Sequence, residues 1–153
     1  MNIDLRRARA DEIDELTELS MRSKRSNGYD DAFMKACREE LTVTAARMAA
    51  GEYWLAEADE ICGCVCLLTT AHSPIGEIHA FFIDPTWQRR GIGRMLWQKI
   101  VARAQAKKLS ILSLDADPKA VSFYQAMGCQ IVGYVPSGSI KGRLLPRMEK
   151  RLR

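Results

Sequence analysis

A glycine-rich turn between a predicted strand and a predicted helix constrains this chain more than any other segment. The strand is the apolar run Ile78–Ile83, the turn is Gln88–Gly93 (Gln-Arg-Arg-Gly-Ile-Gly), and an amphipathic helix pattern follows from about Ile92. Such a turn directs successive backbone N–H groups and the positive end of a helix towards one place. A side chain at Gly91 or Gly93 would keep an anion away from these donors. The segment therefore predicts a strand–turn–helix unit that binds a phosphate or a pyrophosphate.

Two other kinds of phosphate-binding turn do not fit the spacing of this segment. The P-loop has a Lys and then a Ser or Thr after its last glycine, and no such pair follows Gly93. The dinucleotide fingerprint needs a third glycine, where this chain has Leu96, and an acidic residue about 20 positions further on. Asp115 and Asp117 lie a little beyond that distance. Both alternatives are therefore set aside.

Three segments of the chain form a more specific combined pattern. They are Ile83–Pro85 (Ile-Asp-Pro), Gln88–Gly93, and Ala120–Cys129 (Ala-Val-Ser-Phe-Tyr-Gln-Ala-Met-Gly-Cys). Together they resemble the acetyl-CoA signature of the GCN5-related N-acetyltransferase (GNAT) superfamily, whose members have Val-x-Pro, Gln/Arg-x-x-Gly-x-Gly/Ala and Ala-x-x-Phe-Tyr-x-x-x-Gly-Phe in this order. Cys129 stands where the family usually has its final Phe. The resemblance covers Gly76–Gly133 strongly and the N-terminal third of the chain loosely.

The resemblance implies a fold, an activity and a set of contacts with the cofactor. The fold is one α/β domain over residues 1–153, with a mixed, mostly antiparallel sheet of about seven strands flanked by helices in the order βααβββαβαββ. The activity is transfer of an acetyl group from acetyl-CoA to a primary amine of a small molecule or peptide, by direct attack in a ternary complex. The implied cofactor-binding residues are Phe82, Ile83, Gln88, Arg89, Arg90, Gly91, Ile92, Gly93, Arg94, Asp117 and Tyr124.

The same resemblance points to two residues for proton transfer. Tyr124 matches the tyrosine that protonates the departing thiolate in many relatives, and the alternative is a ring packed over the cofactor for shape alone. Glu77 matches the base glutamate of the family's histone-acetyltransferase branch, and its alternative is a solvated glutamate at the start of a strand. His79 lies two residues further on, on the same face of a regular strand, and is an alternative base.

The end of the fourth strand is expected to pair with the pantetheine arm of the cofactor. An N–H near Ile83 would then face the thioester oxygen, and a bulge near Phe81 or Phe82 would open the strand edge. Asp117 occupies a position where relatives often have an asparagine that touches the cofactor. Because Asp117 precedes Pro118, it is also predicted to cap a helix.

The family plan implies that the acceptor pocket lies between two loops, Ser20–Tyr29 and Val135–Arg143. Both loops mix hydroxyl, glycine and basic groups and contain no acidic cluster. A strongly polycationic acceptor, such as a polyamine or an aminoglycoside, is therefore disfavoured. The acidic residues that keep that option open are Asp30, Asp31, Glu39 and Glu40.

Hydrophobic periodicity predicts the remaining N-terminal elements. Asp11 is predicted to cap a first helix, and the polar residues Arg22–Asp31 are predicted to form a loop around Asn27-Gly28. A second helix is expected over Ala32–Leu41.

Composition excludes several other kinds of protein. No apolar run reaches the ~20 residues of a membrane span, and the charged N-terminus does not resemble a secretory signal, so a cytoplasmic location is expected. Cys62, Cys64 and Cys66 alternate as on one face of a strand, and we interpret them as buried side chains rather than metal ligands. The net charge of +4 is concentrated in the tail from Lys141 onwards. This tail is interpreted as a solvated strand face, which disfavours nucleic acid as a partner.

Two other functions remain open, a non-catalytic acyl-CoA-binding or regulatory domain and an RNA-associated role of the basic tail. The presence of both Tyr124 and Glu77 favours the enzyme. A homodimer is compatible with the sequence, which contains no signal for or against it.

Overall fold

The computed structural model of the chain describes residues 2–152, and its strands form one seven-stranded sheet. The order across the sheet is β1-β2-β3-β4-β5-β7-β6, and only the neighbours β4 and β5 run parallel. The predicted mixed, mostly antiparallel sheet is therefore confirmed. The strands are β1 (Asp4–Arg7), β2 (Glu52–Glu57), β3 (Ile61–Thr69), β4 (Ile75–Ile83), β5 (Ile111–Asp115), β6 (Gln130–Pro136) and β7 (Leu144–Arg151).

In the described residues, five α-helices flank the sheet, one more than the predicted order contains. The additional helix is short, with six residues, and its Thr44 hydroxyl accepts the N–H of Arg47 at 3.1 Å. Within residues 2–152, none of the helices combines the length and the apolar character that crossing a membrane requires. The helices are α1 (Ile13–Arg25), α2 (Asp31–Leu41), α3 (Ala45–Ala50), α4 (Ile92–Ala106) and α5 (Val121–Ala126).

The first helix differs from its prediction at both ends. Asp11 does not cap it, because it lies inside a short 3-10 turn in which the Glu12 carboxylate accepts the N–H of Arg9 at 2.8 Å. At the other end α1 continues through Arg25 into the predicted loop. Basic side chains in the last turn interact favourably with the free carbonyl groups there. The longer helix places Lys24 on its inward side, where its side chain is 15% exposed.

The sheet separates two hydrophobic clusters. One face packs against α4 and α5 through fully buried side chains such as Leu96 and Ile100, and the other face packs against α1 through Leu16 and Leu19. Each fully buried aliphatic side chain of this kind contributes about 1.5–3 kcal/mol through the hydrophobic effect. The two clusters therefore hold both layers of helices against the sheet.

A β-bulge in β3 changes which face one of its cysteines occupies. Two adjacent residues of β2 pair with Ile61 and Gly63, so Cys62 is an extra residue in the strand. As a result Cys62 packs in the cluster with α4, whereas Cys64 and Cys66 pack in the cluster with α1. The prediction that all three thiols share one face is wrong for Cys62, although all three are buried.

A second bulge lies in β4, earlier than the predicted position near Phe81 or Phe82. Neighbouring residues of β3 pair with Ile78 and Ala80, so His79 is the extra residue. The pairing of β4 with β5 has already ended by this point. The two strands are therefore separate beyond the bulge, and this opening in the sheet contains the candidate site.

The last parallel contact between these two strands joins Glu77 to Ser113. Beyond it β4 continues to Ile83 and β5 continues to Asp115 without pairing to each other. The backbone edge of β4 between Ile78 and Ile83 is therefore available on that side.

Candidate active site

The glycine turn forms the N-terminus of α4. A 3-10 turn at Pro85–Trp87 precedes it and is capped by Asp84, whose carboxylate accepts the N–H of Thr86 at 3.0 Å and pairs with Arg22 at 2.8 Å. Gly91 then begins the helix, and no side-chain hydrogen bond caps α4 in the part of the chain that the structure describes. The N–H groups of the first turn of α4 therefore have no intrahelical acceptor and remain available to a ligand.

The two glycines of the turn have different structural roles. Gly91 has a φ of +81°, a conformation that L side chains rarely adopt, and a Cβ there would meet no atom within 4 Å. A Cβ on Gly93 would instead lie 3.1 Å from the ring of Phe123. Gly91 is therefore required by the backbone conformation and faces open space, whereas Gly93 allows close packing of α4 against α5.

A cleft of about 750 Å³ opens over this turn, and we call it the glycine cleft. Of the residues predicted to contact the cofactor, only Arg90 does not line it. The guanidinium of Arg90 lies over the ring of Trp87, with 4.9 Å to the ring centroid. The predicted residues that line the glycine cleft are Phe82, Ile83, Gln88, Arg89, Gly91, Ile92, Gly93, Arg94, Asp117 and Tyr124.

The glycine cleft has the groups that coenzyme A requires. The uncapped N-terminus of α4, with Arg89 and Arg94 beside it, suits a pyrophosphate. Lys24 and Lys119 also line the glycine cleft and add to its positive charge. The unpaired edge of β4 at Phe82 and Ile83 offers backbone groups to an amide-containing arm.

Tyr124 lies at the inner end of this cleft and is 6% exposed. Its ring makes edge contacts with Phe81, Trp97 and Phe123, at centroid distances of 6.0, 6.0 and 5.3 Å. Burial is the main cause that raises the pKa of its phenol, and the charges of Cys129 and Asp117 add to it. Tyr124 therefore keeps its proton at neutral pH, as a proton donor must.

A second cleft of about 510 Å³ adjoins the first, and we call it the α2 cleft. Phe82 and Lys24 line both clefts, so the two meet at these residues. The two predicted walls contribute Ser20, Lys24, Ser137 and Arg143. The structure adds a wall that the sequence did not predict, from the end of α2 through α3. The side chains of this wall are Cys37, Glu40, Leu41, Thr42, Val43, Arg47 and Ala50.

Asp117 joins three distant parts of the chain beside the two clefts. Its carboxylate accepts Lys24 Nζ at 2.6 Å and the Tyr29 hydroxyl at 2.9 Å, and Arg143 Nη2 donates to the same hydroxyl at 2.6 Å. Asp117 also accepts the N–H of Lys119 at 2.9 Å, as the predicted cap does. We call Lys24, Tyr29, Asp117 and Arg143 the Asp117 bridge. It ties α1, the loop before α2, the start of the α5 segment and the β6–β7 hairpin together.

The bridge also fixes the charges of its members. Burial favours a higher pKa for Asp117, but hydrogen bonds from Lys24 and from the Lys119 N–H outweigh it and lower the pKa. Burial, with the hydrogen bond to Asp117, raises the pKa of Tyr29 to about 12. Asp117 is thus a carboxylate and Tyr29 a neutral phenol at neutral pH.

The two candidate bases have different surroundings. His79 is exposed at the bulge in β4 and lines the α2 cleft. Glu77 lines neither cleft, because both of its carboxylate oxygens accept from Arg147, one of them from Nη1 at 3.0 Å. Arg147 also donates to Asp115 at 2.9 Å, and Asp115 lines the α2 cleft. Glu77 is therefore separated from the cleft by one ion pair.

The basic tail is only partly the solvated strand face that the sequence predicts. Arg143 belongs to the Asp117 bridge and its side chain is 18% exposed, while Arg147 pairs with Glu77 and Asp115. Arg143, Lys24 and Tyr29 lie in the two loops predicted to wall the acceptor pocket, but the sequence did not predict that they meet at Asp117. They lie 26, 93 and 88 positions from Asp117 respectively, so no local spacing indicates that they meet.

Comparisons with known proteins agree with this arrangement. The profile of the acetyltransferase (GNAT) family matches residues 13–129. The peptidyl-lysine N-acetyltransferase YjaB of Salmonella typhimurium is 30% identical over 136 residues, which make up 87% of each protein. A UDP-N-acetylmuramate–L-alanine ligase of Desulforamulus reducens is 31% identical over 94 residues. This match covers 61% of the present chain and only 20% of the length of that ligase.

Among solved structures, the PaiA N-acetyltransferase of Thermoplasma acidophilum in complex with coenzyme A superposes with a TM-score of 0.82. It is 18% identical, and 99% of each chain is covered. At this identity the likeness concerns the fold.

The chain belongs to the acetyltransferase (GNAT) family, as the family profile and the relative in Salmonella show. It is an acetyl-CoA-dependent N-acetyltransferase, and acetyl-CoA is its cosubstrate.

Proposed function

We propose that the acetyl donor occupies the glycine cleft and that a primary amine enters through the α2 cleft. The observation that carries this proposal is that the two clefts meet at Phe82 and Lys24, with Tyr124 on the donor side of the junction. An amine at the junction would reach a thioester held along the end of β4 without a covalent enzyme intermediate. Direct attack in a ternary complex needs this kind of shared boundary.

On the donor side, the proposal assigns the pyrophosphate to the backbone N–H groups of the turn Arg89–Arg94. The observation in support is that α4 has no side-chain cap among the described residues. The pantetheine arm would pair with the free edge of β4, and an N–H near Ile83 would stabilise the negative charge that develops on the thioester oxygen. We expect Arg90 to contribute less to pyrophosphate binding than its neighbours, because its guanidinium is stacked on Trp87.

Tyr124 is proposed to return a proton to the departing thiolate. The raised pKa of its phenol keeps the proton available, and a thiolate is a strong enough base to accept it. The aromatic contacts around the ring hold the hydroxyl in one place. This fixed position favours proton donation over a role in shape alone.

For the base, the structure supports His79 better than Glu77, the residue first predicted. His79 lines the α2 cleft and is exposed, so it can contact an incoming amine directly. Glu77 would first have to break its bidentate salt bridge with Arg147. Lys24 at the junction also favours the neutral amine, because a nearby positive charge disfavours the ammonium form.

The experiment that tests the proposed function follows the release of coenzyme A thiol from acetyl-CoA with a panel of primary amines. Amine-dependent release, together with a mass increase of the amine by one acetyl group, is the expected result. Acetyl-CoA binding without release for any amine would instead favour the alternative function, a non-catalytic acyl-CoA-binding or regulatory domain.

Three broader statements belong to this proposal. A single catalytic domain over residues 1–153 is supported by the one continuous sheet. A cytoplasmic location is supported by the five cysteines, which are all buried and unpaired, as suits a reducing compartment.

A homodimer is compatible with the exposed apolar side chains of the edge strand β6, and size-exclusion chromatography with light scattering would test it.

A further inference from the structure

Positively charged side chains outnumber negatively charged ones around the α2 cleft. Three cations line it, Lys24, Arg47 and Arg143, against the two carboxylates of Glu40 and Asp115. Asp115 is paired with an arginine of β7, whereas Glu40 accepts from a neutral serine hydroxyl of the β6–β7 hairpin and keeps its negative charge. The cations that line the cleft therefore outnumber its carboxylates by one.

The positive charge on the Asp117 bridge is not fully compensated. Asp117 is the one carboxylate of the bridge, and it serves both Lys24 at 2.6 Å and Arg143 at 3.6 Å. Two cations against one carboxylate leave one positive charge, because Tyr29 remains neutral. The longer of the two distances belongs to Arg143, so the residual charge is centred on its guanidinium.

Arg143 is held in a fixed orientation at the wall of the cleft. Its guanidinium lies over the rings of Tyr29 and Phe33, at 5.1 and 4.8 Å from their centroids, and these rings stack at 3.9 Å. Its hydrogen bond to Tyr29 uses one of the five N–H groups of a guanidinium. In the described part of the chain, no fully buried side-chain nitrogen lacks a partner, so the other N–H groups are accessible.

The floor of the α2 cleft is apolar. Side chains of β3, β4 and β7 form it below the cations, and Phe82 continues it to the junction with the glycine cleft. A ligand that fits both features must combine an apolar body with an anionic group. The apolar side chains of the floor are Leu68, Ala80, Phe82 and Leu145.

We propose that the acceptor is a small amine that carries a carboxylate and an apolar side chain, and that Arg143 binds the carboxylate. A planar guanidinium fork matches a carboxylate in two parallel hydrogen bonds. One uncompensated positive charge matches a monoanion better than a phosphate group, which carries about −1.5 to −2. This inference rests on the proposed function, because it describes the acceptor of that same reaction.

Three matched amines test the proposal, namely leucine, leucinamide and 3-methylbutylamine, with coenzyme A release as the readout. They share one apolar side chain, and only leucine has the carboxylate. We expect kcat/KM for leucine to exceed the other two by about tenfold or more, the size of one charge-assisted interaction. The amine of leucinamide is less basic than that of leucine and therefore more often neutral, so a preference for leucine over leucinamide cannot arise from amine basicity.

Variants of Arg143 test whether this residue causes the preference for leucine. Arg143→Gln should remove the preference for leucine, mainly because the KM for leucine rises about tenfold more than the KM for 3-methylbutylamine. Arg143→Lys should restore part of the preference, since it keeps the charge and loses the fork. Arg151→Gln is the matched control, because Arg151 is exposed at the far end of β7, the strand that follows Arg143, and should leave all three substrates unchanged. The KM for acetyl-CoA and the melting temperature show whether each variant keeps the fold.

Equal or better use of leucinamide, 3-methylbutylamine or a lysine-containing peptide would overturn the inference and leave acetyl transfer intact. Absence of thiol release with every amine would overturn the proposed function instead. In that case calorimetric binding of N-acetylleucine and N-acetylleucinamide to the coenzyme A-loaded protein decides the inference separately. Tighter binding of N-acetylleucine that is lost in Arg143→Gln would support it, and equal binding of the two would overturn it.

Discussion

At the scale of single residues, Tyr124 is the side chain whose environment fits a chemical role best. It is buried among aromatic rings at the inner end of the glycine cleft, and burial keeps its phenol protonated. The same ring can also serve as a wall for the cofactor. Removal of the hydroxyl alone separates these two roles.

Tyr124→Phe should lower kcat by about 10²–10⁴, the usual contribution of a positioned general acid. The KM for acetyl-CoA should stay within about threefold, because the ring and its packing remain. Steady-state coenzyme A release at saturating acetyl-CoA measures both. A kcat within twofold of the wild type would mean that the tyrosine acts through shape.

The base is tested by a pair of variants two positions apart. His79→Gln should reduce kcat at least about tenfold. Glu77→Gln should leave kcat nearly unchanged and lower the melting temperature, because it breaks the ion pair with Arg147. A large loss of kcat in Glu77→Gln alone would instead identify Glu77 as the general base.

At the scale of elements, the start of α4 determines where an anion can bind. The left-handed conformation of Gly91 allows the chain to enter the helix with its first N–H groups free. The open space above Gly91 is the region in which the pyrophosphate is proposed to lie.

Gly91→Ala should lower the stability by about 1–2 kcal/mol and raise the KM for acetyl-CoA at least about tenfold. The strain comes from φ, and the loss of affinity comes from a methyl group in the binding space. Gly142→Ala is the matched control, since Gly142 has a φ of +82° and likewise open space around it, but lies in the β6–β7 hairpin. Equal effects of the two variants on the KM for acetyl-CoA would place the donor elsewhere.

The elements that the sequence predicted well are those whose signals are local. The turn at Gln88–Gly93 and the cap at Asp117 follow from spacing within a few residues, and both are present in the structure. The bulge residues Cys62 and His79 were not predicted in place, because a register shift depends on the partner strand. Residue types alone could not predict that Lys24 reaches Asp117 either. That contact needs both the longer α1 and the packing of α1 against the sheet.

At the scale of the whole molecule, the thiols argue against a covalent acetyl-enzyme. Burial raises the pKa of Cys64 to about 12 and that of Cys66 to about 11, and it also raises the pKa of Cys37 at the wall of the α2 cleft. A thiol is a nucleophile only as its thiolate, which these surroundings disfavour. The amine itself is therefore the expected nucleophile.

An ion-pair cluster that ties β2 to α4 should make the protein sensitive to acid. Burial favours a higher pKa for Glu52, but hydrogen bonds from Arg103 and Trp54 outweigh it and lower the pKa from 4.5 to about 2. Because the folded value is below the unfolded one, this stabilisation is complete above about pH 4.5 and is lost as the pH falls through about 2.

Glu52→Gln should therefore lower the free energy of unfolding by about 3 kcal/mol at pH 7 and flatten its dependence on pH between about 4.5 and 2. Urea denaturation at several pH values measures both effects. Glu149→Gln is the control, since Glu149 has no ion pair among the described residues. If the free energy of unfolding of Glu52→Gln depends on pH as steeply as that of the wild type, another group causes the acid sensitivity.

The account as a whole requires that donor and acceptor are bound together at the junction of the two clefts. Initial rates of coenzyme A release, with acetyl-CoA and leucine varied against each other, test this most directly. The structure predicts double-reciprocal lines that intersect, as direct attack in a ternary complex requires. Parallel lines, the sign of a covalent acetyl-enzyme in a ping-pong reaction, would contradict it.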